Sequence, residues 1–408
     1  MRHLLRTASL AVGFILCLSR PADAQNLREP RFMAQAQAGF AQIFNLDYDE
    51  AMATFSRLHS EYPHHPAPPF YMAVTLWLRE LFQREDLDLN KFVAPTYFDQ
   101  PTKRQLPTED RERFKDLIAE CRKLAEGVLT QNADDNDARY FVASTYGVLA
   151  AFAITVDHSR KQALDYGKKS YELHNQLVSR DPHFYDSYMT LGIYEYIVDN
   201  LPWYIKWLAW IIGYRGSEER GFEYLRLAAE RGLFVADEAR VMLMVLYVRE
   251  TKYAKALAEQ EHLQARYTRS FILPLTRAQI LEKMGASGLA AAQYQMVLSN
   301  ADAGIPNYTK LQLATARYSF GRKFMDLERP ELALRQFLAS ADDTRTPLRA
   351  RVLSRLGAGQ ALDSLGRRDE AIAEYRAVLT LNDIEGSHRQ AKAFIDRPYQ
   401  SPHQAKKS

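Results

Sequence analysis

Two distant stretches of this chain are built to one plan. Residues 39–63 read GFAQIFNLDYDEAMATFSRLHSEYP and residues 359–382 read GQALDSLGRRDEAIAEYRAVLTLN. In each, a small residue sits in an apolar helical face, a polar turn leads to Asp-Glu-Ala, and an aromatic residue follows on a second apolar face. Ala51 lies twelve residues after Gly39, and Ala371 twelve after Gly359, with Phe55 and Tyr375 four further on. This is the spacing of a helix-turn-helix repeat of about 34 residues. A unit of that size cannot bury its apolar face alone, so copies of it must stack. Small residues such as Gly39, Ala51 and Gly359 are expected where two helices cross. Phe55 and Tyr375 are expected to fill the space toward the next pair.

The rest of the chain continues the plan less regularly. It is rich in Ala, Leu and Tyr, its prolines gather between apolar runs, and no sustained two-residue alternation argues for a sheet. These features predict an all-α solenoid of about eight helix pairs. Ala256 of the fifth pair and Ala290 of the sixth are 34 residues apart, one repeat length. The seventh pair carries Pro330-Glu331-Leu332-Ala333 and Phe337. Two insertions interrupt the series, a polar, Pro-containing one near 90–107 and an apolar one near 200–216. A last helix near 385–396 is expected to cap the stack. The solenoid then spans 25–397, and 398–408 form a flexible Pro-, Ser- and Lys-rich tail.

Gly39, Ala51, Phe55 and Pro63, with Gly359, Gly366, Ala371 and Tyr375, resemble the tetratricopeptide (TPR) pattern. The leading Trp of that pattern is missing from every pair, and Thr268 stands where the fifth would close on Pro. The resemblance implies a TPR-like α-solenoid that binds a protein or peptide, with the concave face made by the first helix of each pair.

Residues 1–24 have the form of a secretory signal. Arg2, His3 and Arg6 precede an apolar core from Ala8 to Leu18, and Ala22-Asp23-Ala24 supplies a small-residue cleavage site. Cys17 follows Phe14-Ile15-Leu16, which lacks the small residue of a lipoprotein signal. The expected address is therefore exported, periplasmic or secreted, without a lipid anchor. The formal net charge is +3, and removing the leader brings it near +1. So small an excess argues against a nucleic-acid partner. Cys121 alone remains beyond the leader, which excludes an intramolecular disulfide, and its place on an apolar stripe predicts a buried small hydrophobe.

The segment 201–216, LPWYIKWLAWIIGYRG, holds three of the four tryptophans of the chain. On a helix Trp203, Trp207 and Trp210 form one stripe, and Leu201, Ile205, Leu208 and Ile212 form the opposite one. A segment apolar on nearly every side is either buried or inserted in something apolar. Three roles suit it: a plug inside the superhelix, a partner-binding or interfacial membrane helix, or the wall of a small-molecule pocket. Trp203, Tyr204, Lys206, Trp207, Trp210 and Arg215 are its candidate contact residues to a partner or lipid. From here to Arg231 the chain resembles a eukaryotic TPR family that includes the mitochondrial inclusion-body clearance protein. The matching residues are Gly213, Tyr214, Gly216, Glu219, Arg220, Gly221 and Leu225. That resemblance implies a scaffold working near membranes or lipid.

Catalytic patterns are absent from the sequence. His64-His65 occupy a Pro-rich turn, expected at the surface, without the Glu and spacing of a metalloprotease helix. Asp134-Asp135-Asn136-Asp137 lacks the alternating ligands of a calcium loop and is expected to cap a helix. Glu218, Glu219 and Arg220 suit first-turn acids with a surface ion pair. No cofactor or metal is implied, and a non-enzymatic scaffold or adaptor of the cell envelope is the expected role. The alternative is a membrane- or lipid-associated protein that uses the Trp-rich insertion.

Overall fold

The computed structural model describes residues 28–93, 106–200 and 216–401. Eighteen α-helices and no strand occur among them. They are α1 (Pro30–Phe44), α2 (Tyr48–Glu61), α3 (Ala67–Gln83), α4 (Leu89–Val93), α5 (Thr108–Gln131), α6 (Asn136–Thr155), α7 (Arg160–Arg180), α8 (Ser187–Asp199) and α9 (Glu218–Arg231). They continue with α10 (Ala236–Arg249), α11 (Tyr253–Arg266), α12 (Ile272–Lys283), α13 (Ser287–Asp302), α14 (Leu313–Asp326), α15 (Pro330–Asp342), α16 (Leu348–Ser364), α17 (Arg368–Leu379) and α18 (Ser387–Asp396). The fold is an all-α, TPR-like solenoid. The pairs are α1 with α2, α3 with α5, then α6–α7, α8–α9, α10–α11, α12–α13, α14–α15 and α16–α17, and α18 packs on the last.

One small buried residue recurs in the second helix of every pair: Ala51, Cys121, Ser170, Gly221, Ala256, Ala290, Ala333 and Ala371. Four residues later comes a buried filler: Phe55, Ala125, His174, Leu225, Gln260, Tyr294, Phe337 or Tyr375. The geometry behind this is steric. A Cβ on Gly39 would overlap the Phe55 ring, and one on Gly359 would overlap the Tyr375 ring. Phe55 then reaches the next pair, with ring centres 5.2 Å from Tyr71. Where the filler is Tyr, its hydroxyl donates to an acid twelve residues earlier, Tyr294 to Glu282 at 3.0 Å and Tyr375 to Asp363 at 2.8 Å. Burial, reinforced by those carboxylates, pushes both phenols well above their ordinary range.

The turns inside the pairs share a second device. Leu46, Glu85, His158, Thr251, Gly285, Glu328 and Gly366 all have positive φ, between 52° and 76°. Each follows a first helix, and in six of these turns the next residue's N–H closes a bond five residues back, as from Lys252 to Tyr247 O at 2.7 Å. This is the Schellman ending of a helix, for which glycine is the residue of lowest cost.

The stack also closes on itself. The α1–α2 turn meets the end of the fifth pair and the segment after the sixth. Phe44 stacks on Tyr267 at 4.4 Å. Asn45 Oδ1 accepts from the Arg269 N–H at 3.0 Å, and Asn307 Nδ2 donates to Asn45 O at 2.6 Å. Lys310 Nζ donates to Leu46 O at 2.6 Å. The buried Asp47 carboxylate pairs with Arg269 and with Lys310. Nearby, α4 lies against α10 and α12, with Leu89 buried, and Gln279 donates to Asp88 at 3.0 Å. Helices α10 and α12 are accordingly apolar around most of their circumference.

Candidate functional site

The expected binding face is the concave side, made by the first helix of each pair. Aromatic contacts bridge part of it: Tyr71 on α3 reaches Phe141 on α6, Phe141 reaches Phe234 before α10, and Phe82 on α3 reaches Phe271 before α12. A cleft of about 100 Å³ lies between α14, α16 and the start of α18, walled by Tyr318, Arg322, Gln360, Glu385 and Gln390 over a floor of Leu353 and Leu356. Arg349 holds Glu385 at 2.6 Å. Arg322, exposed on α14, has no carboxylate within ion-pair distance among the described residues. The cleft therefore offers an apolar floor, amide side chains able to bond a peptide backbone, and one uncommitted guanidinium.

Trp203, Tyr204, Lys206, Trp207, Trp210 and Arg215 lie outside the described residues, as do Gly213 and Tyr214. What the structure describes is the stem from which they depart. A Cβ on Gly216 would run into the Asp199 amide and lie 2.5 Å from Glu195 O. Asp199 Oδ2 accepts from the Glu218 N–H at 2.9 Å, and Ser217 caps α9. One Cβ on Gly192 would stand 2.8 Å from Gly221 O, so α8 and α9 cross backbone to backbone. The chain thus leaves after Asn200 and returns at Gly216 to nearly the same point.

The titratable groups singled out in the sequence are structural. Cys121 is fully buried, and burial pushes its thiol far up, away from reactivity. Asp135 accepts from the Ala138 N–H at 2.8 Å, the expected helix cap, while Asp137 pairs with Arg28. Arg220 pairs with Glu195 across the α8–α9 crossing at 2.9 Å. The expectation of a surface turn holds for His64 and fails for His65, which is buried and stacks on Phe32 at 3.8 Å. Its Nδ1 accepts from the Ala67 N–H, so the imidazole acts as a core ring that also caps α3. His174 occupies the filler position of the third pair, bonded to Ser187 Oγ at 3.0 Å, and burial lowers its pKa to about 3. No cluster of three or more potential metal ligands occurs among the described residues. One helix among them, α6, is long and apolar enough to cross a membrane by composition, but it packs between α5 and α7 with Tyr140 and Phe141 in the core.

No protein-family model matches the chain, and no curated protein matches it in sequence. Among solved structures it is similar to that of yeast Tom70, at 12% identity over 93% of this chain and 92% of that one, with a TM-score of 0.31. It is also similar to a thermophilic TPR protein of Thermus thermophilus, at 17% identity over 60% of this chain and 93% of that one, with a TM-score of 0.21.

Proposed function

We propose that this chain is an exported, non-enzymatic scaffold of the cell envelope that binds an extended protein segment in the cleft on α14, α16 and α18. The observation that carries the reading is the cleft itself, in which Tyr318, Arg322, Gln360 and Gln390 stand over Leu353 and Leu356. The Arg2-to-Ala24 leader supports the envelope address. The test is selection of peptides on the full chain from a random display library, followed by binding to Arg322→Glu and Gln360→Trp. The reading predicts at least about tenfold weaker binding in each, the scale of one lost charge-assisted contact or one blocked subsite, with unchanged circular dichroism. Peptides whose affinity ignores both substitutions would defeat it.

A second reading is favoured by the clamped stem at Asp199 and Gly216. An apolar excursion held at both ends suits a segment that touches lipid or a partner while the solenoid stays rigid. Flotation of the full chain with liposomes, compared with Trp203, Trp207 and Trp210 replaced by Ser, is expected to show loss of lipid association. Equal flotation by a folded variant would remove this reading.

A further inference from the structure

A second cleft, larger than the peptide groove and apart from it, lies where the fourth pair meets the fifth. Its volume is about 560 Å³, within the range of small-molecule sites. One wall is acidic: Asp199 ends α8, and Glu218 and Glu219 open α9. The cations of the lining are Lys252 and Lys255 at the start of α11 and Arg226, two turns down α9 from the acids.

The cations are positioned by the core beneath them. Phe222 and Tyr247 are buried and stack in parallel, with ring centres 5.0 Å apart and planes 6° apart. Lys252 Nζ lies 4.5 Å from the Phe222 centroid and Lys255 Nζ 5.7 Å from that of Tyr247. Cation–π attraction thus holds both ammonium groups over the aromatic pair. Lys252 also reaches Glu218 at 3.2 Å. Among the described residues, neither Arg226 nor Lys255 has a carboxylate within ion-pair distance, and Glu219 has no cation within it. All three are exposed. Three cations lining one cleft, one of them a guanidinium, match a phosphate better than a carboxylate, because phosphate offers more acceptor oxygens. The uncommitted carboxylate of Glu219 matches an ammonium group.

We propose that this cleft binds a small zwitterionic phosphate ester, its phosphate on Arg226, Lys252 and Lys255 and its amine on Glu219. Two sources share that chemistry, a zwitterionic phospholipid headgroup and a free amino-alkyl phosphate. The test is calorimetric titration of the full chain with phosphoethanolamine, inorganic phosphate and ethanolamine separately. Phosphoethanolamine is expected to bind saturably and about tenfold more tightly than phosphate, the effect of one additional charged contact. The double variant Arg226→Ala, Lys255→Ala breaks no ion pair in the structure and is expected to lose about tenfold or more. Glu219→Gln is expected to keep phosphate binding and to lose most of the preference for phosphoethanolamine. Competition by phosphatidylethanolamine vesicles and not by phosphatidylglycerol vesicles identifies a headgroup source. Binding of the free ester without vesicle competition identifies a soluble one. Absence of saturable heat, equal affinity for phosphate and phosphoethanolamine, or indifference to the substitutions would each overturn the proposal.

Discussion

At the scale of the residue, the account rests on a few side chains whose neighbours leave them no alternative. The Phe55 ring occupies the volume a Cβ on Gly39 would need. Gly39→Ala is therefore expected to destabilise by about 1–3 kcal/mol through overpacking, and Phe55→Ala by about 3–5 kcal/mol through the cavity it leaves. Pairing Gly39→Ala with Phe55→Leu should recover part of the first loss; additivity of the single effects in urea unfolding would show that the two sites are not in conflict. Two groups with displaced pKa values contribute to the pH response. His174 stays neutral in the folded chain down to about 3, whereas the unfolded chain takes up that proton near 6.5. Stability from this group is thus complete above about 6.5 and declines by up to about 1.4 kcal/mol per pH unit below it. Glu238 behaves oppositely. Burial, aided by Asp237 and Asp186, raises its pKa to about 8, so the folded chain keeps a proton that the unfolded chain releases above about 4.5. Stability from this group falls as pH rises through that window. Glu238→Gln is expected to flatten the alkaline decline in stability between pH 6.5 and 8, measured by denaturant midpoints; an unchanged slope would contradict the assignment.

At the scale of the element, the repeat is a pair of helices, a left-handed turn residue between them and a small residue at their crossing. Thr251 adopts φ of 55° in that turn, where a β-branched side chain is strained. Thr251→Gly is expected to stabilise the chain by about 1 kcal/mol, read from urea unfolding, and a loss of stability would contradict the turn assignment. The end repeats were legible in the sequence because Gly39, Ala51 and Phe55, like Gly359, Ala371 and Tyr375, use the commonest residue for each role. The middle repeats were not, because Cys121, Ser170 and Gly221 fill the small position, and Ala125, His174 and Leu225 the filler. Size was kept at the crossing while chemical type was not, so a search for an Ala-to-aromatic spacing passes over them. His65 was misjudged for a related reason: a polar residue in a Pro-rich turn looks exposed until its ring proves to be the stacking partner of Phe32.

At the scale of the whole molecule, the first pair closes on the end of the fifth and on the segment after the sixth. Helix periodicity carries no information about contacts such as Asp47 with Arg269 or Asn45 with Asn307, so the closure was invisible in the sequence. The closure itself is testable. Asp47 is buried while its partners are half exposed, so Asp47→Ala is expected to cost about 1–3 kcal/mol, between the values for surface and buried pairs. It is also expected to raise the radius of gyration in small-angle scattering as the ring loosens; an unchanged radius with unchanged stability would show that the clasp does not hold the superhelix. The central claim is that binding belongs to the C-terminal end of the stack. Its most direct test is amide hydrogen exchange of the full chain with and without a display-selected peptide. The account predicts new protection confined to α14, α16 and the start of α18, with the first six pairs unchanged. Protection centred on α3, α6, α10 or α12, with none on α14 and α16, would contradict it.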